Sequence, residues 1–93
     1  VNSYTLIAYL SESRTTNPNK PQHVVDKEAT AQKLSEVFQK NGYKDMTYDY
    51  IYDRLNTSNK YQVEFAYAKD ITETLKLEIE KLNLPGLDFV TSS

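Results

Sequence analysis

Residues 48–67 read Tyr48-Asp49-Tyr50-Ile51-Tyr52-Asp53-Arg54, then Leu55-Asn56-Thr57-Ser58-Asn59-Lys60, then Tyr61-Gln62-Val63-Glu64-Phe65-Ala66-Tyr67. Two runs with aromatic or β-branched residues at every second position, separated by a polar turn, form the pattern of a β-hairpin. A strand sends alternate side chains to opposite faces, so Tyr48, Tyr50 and Tyr52 fall on one side with Tyr61, Val63, Phe65 and Tyr67. The other side holds Asp49, Ile51 and Asp53 with Gln62, Glu64 and Ala66. The aromatic side suits a core and the acidic side suits water or a partner. Pairing Tyr52 with Tyr61 would set Asp49 against Glu64, an unfavourable like-charge contact. Pairing Tyr52 with Val63 avoids it and is the expected register.

Outward from this hairpin, residues 4–11 are short and apolar on both faces, as a central strand is. Leu6, Ala8 and Leu10 point to one side, Thr5, Ile7 and Tyr9 to the other. Residues 12–23 are polar and interrupted by Pro18 and Pro21, which predicts a long loop. Asp26 is a good N-cap, and Ala31, Leu34, Val37 and Phe38 recur at helical spacing up to about Lys40, where Asn41-Gly42 supplies the stop. After the hairpin, Asp70-Ile71-Thr72-Glu73 resembles a capping box, and Ile71, Leu75, Ile79 and Leu82 form a second helical stripe. Pro85-Gly86 ends it, and residues 87–91 read as a last strand that adds Asp88 and Val90 to the outer face. The order strand, helix, strand, strand, helix, strand predicts a single α+β domain over 1–93. Right-handed crossovers close it into a ferredoxin-like βαββαβ two-layer sandwich, a four-stranded antiparallel sheet with two helices on one face.

Composition narrows the function classes. With 93 residues, 39% hydrophobic and 26% charged, the chain is that of an ordinary globular domain. A net charge of −2 argues against a general grip on nucleic acid, which normally rests on a basic patch. The absence of cysteine removes disulfides, thiolate catalysis and cysteine zinc sites. No apolar run is long enough for a membrane span and no signal-peptide core opens the chain, so a soluble cytoplasmic protein is expected. Many Lys, Asn and Tyr follow AT-rich codons, as in a low-GC bacterium or its phage.

The candidate site is the uncovered face of the predicted sheet. Ile7, Tyr9, Asp49, Ile51, Asp53, Glu64 and Asp88 would gather there, apolar residues ringed by carboxylates, as on a binding surface. The same pattern fits a plain solvated surface or the seam of a homodimer. Asp49 and Asp53 would lie about 13 Å apart along a strand, too far to share an ion, so no metal and no cofactor is expected. His23, the sole histidine, has no nucleophile beside it in sequence. The glycines follow helices rather than a first strand, so no phosphate-binding loop is present. The tyrosines invite a base-stacking reading, but the 59–67 stretch lacks the small residues of the RNA-recognition consensus. The expectation is therefore a non-enzymatic interaction module, a regulator or inhibitor of phage type or a self-associating protein, with a protein partner and no catalytic residues. Two alternatives stand beside it: a small enzyme or ligand-binding domain using the 11–23 loop, and a single-strand nucleic-acid binder using its tyrosines.

Overall fold

The computed structural model describes residues 2–92. The two terminal residues of the expected 1–93 domain lie outside the described residues. β1 (Ser3–Tyr9) runs down the centre of a three-stranded antiparallel sheet, flanked by β2 (Gln62–Glu64) and β3 (Leu87–Ser92). A 3₁₀ turn, Glu12–Arg14, opens the long loop after β1. Three helices follow in chain order: α1 (Lys27–Lys40), α2 (Tyr48–Leu55) and α3 (Glu73–Glu80). The α+β class holds. The ferredoxin-like layout does not, because the described residues form a three-stranded sheet and three helices.

The correction lies in residues 48–55, which form α2 instead of the first arm of a hairpin. Tyr48, Tyr50 and Tyr52 repeat with period two, but Tyr48, Ile51, Tyr52 and Leu55 stand at i, i+3, i+4 and i+7, the spacing of a helical stripe. Burial decides between the two periods: Ile51 and Leu55 are fully buried in the core. The ends agree with a helix. Thr47 caps it by accepting from the Tyr50 N–H, Asp49 lies in the first turn and Arg54 in the last, each on the side that complements the helix dipole. No hairpin register therefore exists for Tyr52, and the second arm shrinks to the three residues of β2.

The remaining elements follow their local chemistry. Asp26 accepts from the Ala29 N–H at 2.9 Å and starts α1. Gly42, at φ 87°, takes the left-handed turn beyond its end. The cap of α3 is Thr72, not Asp70; Ile71 is drawn out of the helix to exchange two backbone hydrogen bonds with Tyr4. Leu6, Ala8 and Val63 on the sheet pack with Leu34, Phe38, Ile51, Leu55, Leu75 and Ile79 from the helices, so one sheet face carries the core. Gly86, at φ 88°, leads into β3 where a Cβ would come within 2.3 Å of the Val24 nitrogen. Only glycine fits a positive φ and that close an approach of two backbones.

Candidate functional site

The sheet face opposite the core is built by the odd residues of β1 and the even residues of its neighbours. Register places Glu64, Ile7 and Asp88 side by side across the three strands, and Thr5 opposite Val90 in the adjoining row. Ile7 is only 5% exposed, yet it stands outside the main core cluster; Val90 is 43% exposed. A buried isoleucine flanked by two exposed carboxylates is the centre of this face. Toward the loop, Tyr9 pairs with Gln62 in register and meets Tyr61 edge to face at 5.8 Å. The Arg14 guanidinium lies over the Tyr9 ring at 3.6 Å, a cation–π contact. The Arg14 Nε is buried and bonded to no acceptor in the protein. At the other end Thr5 Oγ1 and Ser92 Oγ share a hydrogen bond of 2.8 Å.

Of the residues expected on one face, Ile7, Tyr9, Glu64 and Asp88 are brought together on the sheet. Asp49 and Asp53 are not: they are exposed on α2, where four residues rise about 6 Å along the axis instead of the 13 Å of a strand. Ile51, from the same helix, is a core residue. Among the described residues, no group of three or more His, Asp or Glu side chains is placed to hold a metal ion.

Two contributors to this region come from α2 and were hidden by the hairpin reading. Arg54 donates from Nε and from a terminal nitrogen to the Glu64 backbone carbonyl, at 2.9 and 2.8 Å. The Tyr50 hydroxyl accepts from the Ala66 N–H at 2.9 Å. Both bonds sit at the wall of an open cavity of about 660 Å³, lined by Thr5, Tyr50, Arg54, Glu64, Phe65 and Asp70, which continues the uncovered face around the β2 edge. The helical spacing of residues 48–55 was the signal that would have found them.

The 12–23 loop is folded back on itself. Thr15 Oγ1 accepts from the Gln22 N–H at 2.8 Å and shares a second hydrogen bond with His23 Nδ1 at 2.6 Å. His23 is thereby tied within its own loop, with the Thr15 hydroxyl as its hydrogen-bond partner. The Tyr4 hydroxyl donates to Glu73 at 2.7 Å. That hydrogen bond, with burial, raises the Tyr4 phenol and, from the other side, holds the Glu73 carboxyl below its ordinary range. Burial raises Tyr43, and burial with the nearby Glu28 carboxylate raises Tyr48.

No helix among the described residues is long and apolar enough to cross a membrane. No family model matches the chain, and no curated protein matches it. Among solved structures, penicillin-binding protein 2X from Streptococcus thermophilus is similar in fold: the TM-score is 0.77 at 24% sequence identity, over 98% of this chain. The chain spans 14% of the length of that protein, so the likeness is to one portion of a much larger molecule and, at this identity, to its fold alone.

Proposed function

We propose that this chain is a non-catalytic domain that works by packing the uncovered face of its sheet against another stretch of polypeptide, as part of a larger protein built in the manner of a penicillin-binding protein. The observation that carries the reading is the exposed part of this face, the Glu64 and Asp88 carboxylates either side of the buried Ile7 with Val90, 43% exposed, in the adjoining row. Its charge complement is a segment with an apolar residue flanked by Lys or Arg. Two facts support the larger setting. The similar solved protein is about seven times as long as the portion matched, as its 14% coverage implies. Ser3 also pairs with Ser92, so the two ends of the fold leave the sheet side by side, as suits a module carried by a host chain.

The chemistry of penicillin-binding enzymes rests on Ser-x-x-Lys, Ser-Asp-Asn and Lys-Thr-Gly signatures, and none of the three occurs within these 93 residues. On this reading the domain contributes position and contact, not catalysis. The test is a photo-crosslinking amino acid placed at Val90 in the protein in its native cell, with Lys33 on the exposed side of α1 as control. The expected result is a crosslink from Val90 to one defined segment bearing basic residues, weakened when Glu64 and Asp88 are both changed to Lys. Equal, scattered labelling from both positions would sink the reading.

A further inference from the structure

A second surface, away from the sheet face, has the opposite electrostatic character. Where β1 ends, α1 begins and the chain turns from α2 into β2, a cleft of about 400 Å³ is lined by Ser11, Lys27, Thr57, Lys60 and Tyr61 over a floor of Leu10 and Leu55. No carboxylate lines it. Each of the other four cavities described has at least one: Glu64 and Asp70, Glu80 and Asp88, Glu64, or Asp88.

We infer that this cleft is a binding site for a phosphate group, held between the ammonium groups of Lys27 and Lys60. Among the described residues, neither lysine forms an ion pair, whereas Lys40 and Lys76 do. Lys27 is held in place by a neutral partner: its Nζ donates to Asn56 Oδ1 at 3.0 Å, which leaves its charge uncompensated and two of its protons free. Two point charges across one hollow repel each other until an anion stands between them, and a phosphate monoester, with nearly two negative charges at neutral pH, matches their sum. Neutral donors surround the position. Ser11, Asn59 and Tyr61 line the same cleft, and the Tyr61 carbonyl fixes the rim by accepting from the Leu10 and Ser11 N–H groups at 2.8 and 3.2 Å. The volume admits a phosphate with a short organic tail. A free phosphate ester and a lipid headgroup present the same group. Lys60 also lines the neighbouring hollow with Arg54 and Glu64, so the site is open on that side, and its affinity depends strongly on salt.

The experiment is a titration of the ¹⁵N-labelled 93-residue chain with inorganic phosphate and, separately, glycerol phosphate, at low and constant ionic strength. Binding to vesicles with and without phosphatidylglycerol is measured in parallel. Expected are saturable amide shifts confined to Ser11, Lys27 and residues 59–61, weakened roughly tenfold or more in the Lys27→Gln/Lys60→Gln variant. The charge-matched Lys33→Gln/Lys44→Gln variant, both exposed positions outside the cleft, is expected to bind like the parent. Response in the soluble arm assigns a free phosphate ester, and response to charged vesicles alone, lost in the cleft variant, assigns a headgroup. Absence of localised saturation in both arms, or equal weakening by the two lysine pairs, overturns the site.

Discussion

The two edges of the sheet are managed in opposite ways. In the β2 ladder Leu10 N–H donates to the Tyr61 carbonyl, so Val63 faces β1 while Gln62 and Glu64 turn their backbone groups outward. That edge is three residues long and is covered by α2, whose Arg54 takes the Glu64 carbonyl with two donors while Tyr50 takes the Ala66 N–H. On the β3 side Tyr9 N–H donates to the Gly86 carbonyl, so Leu87, Phe89 and Thr91 face outward along a strand of six residues. Its one side-chain mask is local: Asp88 Oδ1 accepts from the Phe89 N–H at 2.8 Å. An exposed edge is a template for another strand, and proteins blunt it by shortening, by covering or by inward charges. Here one edge is closed by a neighbouring helix and the other by a single carboxylate.

The open edge is most vulnerable at the start of β3. Gly86→Ala combines a positive φ with a backbone clash, and an expected loss of about 4 kcal/mol would be read from urea denaturation. The closed edge depends on the seat of α2, so Ile51→Ala, which empties a fully buried position, should cost about 3 kcal/mol. Asp49→Ala, on the exposed side of the same helix, should stay within about 0.5 kcal/mol. Arg54→Ala removes the bidentate cap and should cost about 2 kcal/mol. Hydrogen exchange should then quicken at β2 amides and not at β3. Asp88→Ala should change stability by less than about 1 kcal/mol, but unmask the Phe89 amide; a concentration-dependent rise in mass by light scattering is the expected sign.

The smallest effect is on pH. Glu73 is held below its ordinary value, so its contribution is present above the usual carboxylate range, about pH 4.3, and is lost as pH falls through its own lower value. Tyr4 is raised, so its contribution is present below the usual phenol range, about pH 10, and is lost as pH rises through its higher value. Tyr4→Phe should flatten both slopes in thermal melts, a shift of a degree or so at most because both groups are exposed to solvent screening.

How much of this was legible depended on whether a segment carried one period or two. β1, α1 and β3 each have one, with a cap or a glycine at the boundary, and their extents follow from it. Residues 48–55 carry tyrosines at period two laid over an apolar stripe at period 3.6, and tyrosine serves either, since its ring accepts partial burial in a strand or on a helix flank. The Thr47 cap was the tie-breaker. The same ambiguity split the candidate site: Ile7, Tyr9, Glu64 and Asp88 follow from strands and stay on the face, while Asp49, Ile51 and Asp53 went with α2. The lysine cleft was out of reach, because it is formed by residues distant in sequence, Ser11, Lys27 and Lys60.

The pairing of Ser3 with Ser92 across β1 and β3 also sets a timetable. The central strand is made first, and one of its two neighbours is made last. During synthesis the β1 backbone groups destined for β3 stay unpaired until nearly the whole domain has left the ribosome, and closing so long a loop slows the final step. A growing chain stalled before residue 87 would hold helices and a half-dressed strand. In that interval the β3-facing backbone groups of β1 stand open to solvent.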